Sequence, residues 1–545
     1  MPAHRPFRLR MVWPALVALL AAAMWPPVVR GAEAYPDPFE DARFVPSSIT
    51  QYFCFVEAGE SLSDLMRSSL APGLKTFYET CKSGQSWRDL AAATGIESSR
   101  LFDLLVSQRV TLVTDQQSAG PPGPGEGPDF SRWVLMARVE ESFAKDLLKM
   151  SGGRVREFVD DTPLYGAENG SLRFAYRDGR FYLAAANGEA LLQSMLAKSI
   201  AVSLADDNEF REACRVGPGN FGMFRRGHGE MHWKAGSAKI RRDRMNLNFI
   251  SRHEPRSVEP DFGDAINLGL LHALSENALY VGIERTPQPN GPARERSAGP
   301  GLIPLVPIAR ATPALLKELG PTMFTVIELP DASDPSARGI PAMTVGIEMR
   351  RPTEAVGEMD AFMGEAAARL ARHRRDQSGM PDPATTVVNA GGPAAELRLA
   401  EWRGGGLPMA KFGLDGIWPQ RVVWSSVVRN DRAWWVASTS EQCQRRIISK
   451  LESFTPQCSK ASTTRARGAI YGQRVASLLS QWPAVKAAAE NPHLAELFAW
   501  RELLSSVSAI GWRISQPAPE TTETSISVSW GSESRESHRF HDSHE

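Results

Sequence analysis

"SLRFAYRDGRFYLAAA" (Ser171–Ala186) places two β-rich runs on either side of Asp178-Gly179. An Asp-Gly pair supplies the two positive-φ residues that a tight type I′ turn needs, so the stretch reads as a β-hairpin. Leu172, Phe174 and Tyr176 alternate along the first run and Phe181 and Leu183 along the second, which gives the pair one buried face. A hairpin makes its neighbours antiparallel. It therefore favours an α+β fold over a parallel α/β one.

Reading outward, "RWVLMARV" (Arg132–Val139) is a strand and "ESFAKDLLKM" (Glu141–Met150) an amphipathic helix ahead of the hairpin. "EALLQSMLAKS" (Glu189–Ser199) is the helix that closes the unit. Further upstream, "ITQYFCFVEAG" (Ile49–Gly59) and "RVTLVTD" (Arg109–Asp115) read as strands, with helical stretches between them. The order returns later. "AMTVGIEM" (Ala342–Met349) is a strand and Ala355–Arg375 a long helix. "RVVWSSVVRNDRAWWVAST" (Arg421–Thr439) is a hairpin turning at Asn430-Asp431, and Ser440–Ser453 is again a closing helix. Helix-and-strand blocks follow at Leu270–Arg285 and Arg501–Ser515. The hairpins lie about 250 residues apart, too far for a solenoid repeat. The expected fold is α+β with two related halves, each a mostly antiparallel sheet with helices packed on one face. The expected boundaries are 35–300 and 301–530, with a Pro/Gly loop at 116–129 in the first half and a polar tail at 531–545.

The first 34 residues carry a targeting signal. Arg5, Arg8 and Arg10 precede the uncharged run Met11–Trp25, and Ala32 and Ala34 form an A-x-A site before Tyr35. The run is shorter than the ~20 residues a spanning helix needs, so the expectation is a cleaved signal peptide and an extracytoplasmic chain, periplasmic or secreted. Lysine plus arginine balance aspartate plus glutamate at 62 each. That balance argues against a dedicated nucleic-acid binder. Five cysteines, Cys54, Cys81, Cys214, Cys443 and Cys458, allow a Cys54–Cys81 and a Cys443–Cys458 bridge with Cys214 left over, but spacing alone fixes no pairing.

"WVLMARVEESFAKDLLKM" (Trp133–Met150), "SLADDNEFREA" (Ser203–Ala213) and "KFGLDGI" (Lys411–Ile417) together resemble the secreted bacterial family defined as domain of unknown function 3352. Asn208 stands where that family's pattern has proline, and Arg225–Pro260 departs from it. The resemblance spans about two thirds of the chain after the signal segment. It implies export and an α+β fold, and it brings no activity and no functional residues.

The densest candidate for chemistry is "MFRRGHGEMHWKAGSAKIRRDR" (Met223–Arg244), with His228, Glu230 and His232 within five residues. The helical zinc motif is H-E-x-x-H, whereas this is H-x-E-x-H flanked by Gly227 and Gly229. As a strand it would put all three side chains on one face, with His253 or His272 as further ligands; an exposed polar strand or loop is the simpler account. Lys234, Lys239, Arg241, Arg242, Arg244, Arg252 and Arg256 form a basic run that would suit an anionic surface or be a solvated loop. "GPGNFG" (Gly217–Gly222) lacks the preceding strand a dinucleotide fingerprint requires. Asp160-Asp161 and Asp206-Asp207 read as turn and helix-start residues, and Trp434-Trp435 as core. His538, His541 and His544 sit in the polar tail.

No catalytic, metal or cofactor residue is assigned. The expected function is a non-catalytic binding or structural protein of the cell envelope, its partner an envelope component or secreted protein. A metal-dependent extracytoplasmic hydrolase centred on His228, Glu230 and His232, and a carrier of lipid or another apolar ligand, are the alternatives.

Overall fold

The computed structural model describes residues 35–75, 91–115, 132–254, 266–286, 318–329, 341–350, 384–389, 396–401, 421–454, 463–481 and 495–530, less a few single positions and pairs within these ranges. The expected signal segment at 1–34, the Pro/Gly stretch at 116–129, the helix expected at Ala355–Arg375, the "KFGLDGI" segment and the expected polar tail lie outside the described residues. So do Cys81, Cys458, His228, Arg242 and Arg256.

Ten strands precede residue 254: β1 (Gln51–Val56), β2 (Arg109–Thr114), β3 (Trp133–Arg138), β4 (Arg154–Val159), β5 (Thr162–Gly166), β6 (Leu172–Arg177), β7 (Arg180–Ala185), β8 (Phe221–Arg226), β9 (Met231–Ile240) and β10 (Arg244–His253). Ten follow: β11 (Ala278–Arg285), β12 (Leu319–Glu328), β13 (Ala342–Met349), β14 (Ala384–Asn389), β15 (Glu396–Glu401), β16 (Arg421–Arg429), β17 (Arg432–Ser438), β18 (Thr464–Ile470), β19 (Val507–Ala518) and β20 (Thr521–Trp530). The described α-helices are α1 (Ala58–Met66), α2 (Ser98–Leu105), α3 (Glu141–Met150), α4 (Glu189–Leu196), α5 (Asn208–Ala213), α6 (Gly269–Leu274), α7 (Glu441–Ser453), α8 (Gly472–Gln481) and α9 (Ala495–Ser506).

All twenty described strands belong to one sheet, and the strand pairs whose registers are given below are antiparallel. This corrects the expectation of two halves, each with its own sheet and helices on one face. One reason is register over long range: β20, from the C-terminal end, pairs with β10 from Arg244↔Ser529 to Arg252↔Thr521. No local pattern announces such a partner. The other reason is that helices and loops cover both faces. Val134, Met136, Tyr182 and Ala184 share a core with Leu191 and Leu192 of α4. The residues between them, Leu135, Ala137, Phe181 and Leu183, are buried as well. Strands such as β2 "RVTLVT", buried at every position, are of the two-sided kind.

By contacts the chain forms two compact units. The described residues of the first fall within Met1–Val258, Pro492–Ser508 and Pro517–Arg535, those of the second within Glu259–Asn491 and Ala509–Gln516. In the first, strands neighbour one another in the order β4-β5-β6-β7-β3-β2-β1-β8-β9-β10-β20. The Asp178-Gly179 turn has both residues at positive φ, +48° and +74°, as the sequence requires. An aromatic cluster of Phe39, Tyr52, Phe210 and Phe224 fills the core, with edge-on ring contacts at 5.1–5.8 Å from Phe210 to the other three. Such pairs add about 0.5–1.5 kcal/mol each beyond burial. In the second unit the order is β14-β15-β16-β17-β13-β12-β11-β18-β19. Val281, Ile283, Phe324, Val326 and Trp434 build its core against α6 and α7.

Candidate functional site

The stretch Met223–Arg244 is not a loop. It forms β8, a turn, β9 and the start of β10, paired from Phe221↔Ala238 to Arg226↔Trp233 and onward. Trp233 and Ala235 point into the core while Lys234 takes the other face, and that alternation holds the strand in place. His232 is exposed in β9 and Glu230 is exposed in the turn before it. A register shift sets His253 of β10 opposite Met231, so His253 reaches the same end of the hairpin. His272 belongs to α6 in the second unit. Among the described residues no three His, Cys, Asp or Glu side chains gather as a metal group.

The basic run is divided between the two faces and engaged within the chain. Lys234 lies 5.0 Å from the centre of the Phe249 ring, and burial lowers its pKa. Lys239 and Arg241 gather on Tyr35, whose hydroxyl accepts from Arg241 Nε at 2.9 Å. Arg252 pairs with Glu212 and Arg244 with Asp243. Asp207 caps α5, its carboxylate accepting from the Phe210 amide at 2.9 Å. Arg226 then clamps that turn through Asp207 at 2.9 Å and Glu209 at 2.6 Å. Asp160 and Asp161 turn between β4 and β5, Asp161 pairing with Lys198. Gly217, at φ +87°, turns the chain ahead of β8. Trp434 and Trp435 are both buried on opposite faces of β17.

Cys54, Cys214 and Cys443 are free thiols. Burial pushes Cys54 and Cys214 up to about 12 and Cys443 to about 11. A nucleophilic cysteine needs the opposite shift, toward thiolate near neutral pH.

The charged groups of the first unit's interior lie in opposite-sign pairs, although Asp41 Oδ1 and Arg180 Nε make no hydrogen bond. Asp41, 2% exposed, accepts from Thr111 at 3.1 Å and lies 3.5 Å from Arg180. Arg109 holds Glu40 at 2.8 Å and donates to the Asp37 carbonyl at 3.0 Å. Tyr52 donates to the Pro38 carbonyl at 2.9 Å. The segment Tyr35–Phe44 thus lies across β1 and β2 as an acidic strap on two buried arginines.

The second unit holds a different arrangement, which sequence reasoning missed. Alternation along β11 puts Tyr280, Gly282 and Glu284 on the face away from the Val281–Ile283 core. Register adds Met323 and Thr325 from β12, and Ala466 and Gly468 from β18. From β19 it adds Trp512 and Ile514. Two glycines lie side by side, and the space a Cβ would take is filled by the chain's own rings: by the Tyr280 hydroxyl over Gly282 and by the Trp512 ring over Gly468. Both rings therefore lie back across the sheet. Glu284 is the charged side chain these strands place on this face, and desolvation pushes it up to about 7. Burial, with a smaller contribution from the Glu284 charge, pushes Tyr280 up to about 12, so that hydroxyl keeps its proton. Thr325 is 4% exposed, and its hydroxyl has no hydrogen-bond partner. Glu284 forms no ion pair with any described residue. A buried polar group without a partner costs about 1–3 kcal/mol, so this face carries an unrelieved cost of the kind found at binding sites. The available signal was the i, i+2, i+4 run Tyr280-Gly282-Glu284 within a strand whose other face is plainly core.

Comparison with protein-family models finds no match, and comparison with curated proteins finds none either. Among solved structures, crystal form III of TP0453 is 11% identical, with 42% of this chain and 83% of that chain covered and a TM-score of 0.24. Crystal form IV of TP0453 is 9% identical, covering 40% and 81%, with a TM-score of 0.23. Scores this low carry neither fold nor function to this chain. Among the described residues no helix is long and apolar enough to cross a membrane.

Proposed function

We propose that the chain is an exported, non-catalytic binding protein whose ligand seat is the β11 face around Tyr280, Glu284, Thr325 and Trp512. The observation that supports this most is the convergence of polar groups without partners on one half-buried sheet face, beside two aromatic rings. Ligand sites are typically apolar surfaces carrying a few placed polar groups that orient the ligand. Export rests on the basic and apolar N-terminal segment and on the resemblance to the secreted family of unknown function.

The test is a thermal-shift screen of the chain from Tyr35 onward against amines, sugars, carboxylic acids and fatty acids. A ligand that binds the folded chain but not the unfolded one raises Tm, adding RT ln(1 + c/Kd) to the stability at free ligand concentration c. The expected result is one class that stabilises the wild type and stabilises Trp512→Ala less. If no class acts, or if the shift is unchanged in Trp512→Ala, the seat is not where this protein binds.

A further inference from the structure

We infer that the seat on β11 takes a primary ammonium group carried on an aliphatic stem. This rests on the binding-protein reading and names its ligand class. An ammonium has three donors and no acceptor, so it needs an anion and two neutral oxygens arranged around one point. Glu284 supplies the anion. The Thr325 hydroxyl, buried and without a partner, and the Tyr280 hydroxyl, which lies over Gly282 in register with Thr325, supply the oxygens.

The flanking strands supply the stem's surroundings. Trp512 and Ile514 on β19 lie beyond Gly468 and Ala466 on β18, with Met323 on β12 opposite Glu284. A cation next to the faces of Tyr280 and Trp512 gains a cation–π contribution that a neutral ligand does not. Charge decides against an anion, which would meet Glu284 with no lysine or arginine that the strand registers of β11, β12, β18 and β19 place on the same face. Arg467 and Arg513 are in register with Ile283 and with each other, on the core side. Arg474 of α8 is committed to the Ser275 and Ala278 carbonyls at 2.8 and 2.7 Å. The first unit shows the same rule with signs reversed, since its buried Arg109 and Arg180 are covered by the acidic strap.

Calorimetric titration of the chain from Tyr35 onward with n-butylammonium, with n-butanol as the neutral match, tests the assignment. The expectation is saturable binding of butylammonium and none of butanol at pH 8, with affinity falling about tenfold at pH 6 as Glu284 takes up a proton. Glu284→Gln should abolish binding, and Thr325→Val and Trp512→Ala should each weaken it several-fold, all three keeping a wild-type circular dichroism spectrum. A second arm uses the peptide acetyl-Gly-Lys-Gly-amide. Binding at least tenfold tighter than butylammonium identifies a lysine of a partner polypeptide as the source, and equal binding identifies a free amine. Absence of binding by folded wild type, or equal binding by Glu284→Gln, overturns the assignment. If a sugar or acid binds in a Trp512-dependent way while butylammonium does not, the ammonium assignment falls and the binding-protein reading stands.

Discussion

Tyr52 and Tyr280 stand in similar local surroundings and meet different fates. Each precedes by two a small residue, Cys54 or Gly282, in register with a threonine on one neighbouring strand and a glycine on the other. The threonines are Thr111 and Thr325, and the glycines Gly222 and Gly468. Over Gly222 sit Pro38 and Phe39, so the space a Cβ would take is filled. There the Tyr52 hydroxyl donates to a carbonyl and Thr111 to Asp41. In the second unit a ring lies over Gly468, Thr325 lacks a partner, and a carboxylate takes the place of the paired charges. One constellation is closed by the chain's own strap. The other is left with acceptors for something else. The lesson is that residue types do not distinguish a core from a seat; what distinguishes them is whether the chain itself brings the complementary groups.

That contrast is most severely tested at Asp41. Asp41→Ala takes the buried carboxylate away from the Arg180 charge and from the Thr111 hydroxyl, and breaking a buried pair in this way should cost about 3–5 kcal/mol. Urea unfolding measures it; a loss under 1 kcal/mol would show the strap to be dispensable and the two constellations alike.

Glu284→Gln is expected to act in the opposite direction. Its folded pKa of about 7 lies above the ordinary 4.5, so the native chain keeps a proton that the unfolded chain loses between those values. Stability therefore falls as pH rises through that window and stays lower above it, by about 3 kcal/mol at most. The glutamine variant should be the more stable at pH 8 and equal to the wild type near pH 4.5. A wild type whose stability rises from pH 5 to 7 while the variant's stays flat would sink the idea of an unpaired carboxylate.

The tyrosines give a smaller and cleaner pair. Tyr52→Phe strips a donor from the buried Pro38 carbonyl and should cost about 1–2 kcal/mol, whereas Tyr280→Phe should cost close to nothing. Equal losses would mean that the Tyr280 hydroxyl is already satisfied. Smallest in energy is the thiol prediction. With Cys54 and Cys443 raised and buried, iodoacetamide at pH 8 should label neither until denaturant is added. Rapid labelling of native Cys443, read by peptide mass spectrometry, would contradict its burial.

Much of the local structure was legible because turn chemistry and alternation are local. Asp178-Gly179 announced its hairpin, and the apolar runs at Arg109–Asp115 and Ala342–Met349 announced their strands. The closing helices at Glu189–Leu196 and Glu441–Ser453 were legible in the same way. The charges and glycines of Met223–Arg244 leave it open between strand and loop, and the structure makes it strand. In place, half of them face a neighbouring strand: Gly236, where a Cβ would meet the Phe249 ring, lets that ring lie flat. β4 and β5 went unread, since the exposed run "RVREFV" offers no buried face to alternate. The candidate seat was invisible as a site although every residue in it sat inside a recognised strand.

The sequence by itself determined the antiparallel character of this protein, its major hairpins, its helix starts at Asp207 and Ser440, and the presence of an acidic segment at Asp37–Asp41. Those features depend on residues a few positions apart, whose φ, ψ and hydrogen bonds are chosen locally. Only the tertiary structure decided that β10 and β20 join across more than 250 residues, that both faces of the sheet are covered, and that Asp41 has its arginine while Glu284 has none among the described residues. Partners of that kind are selected by register and burial over the whole chain, and a carboxylate's neighbours set its charge more than its own chemistry does.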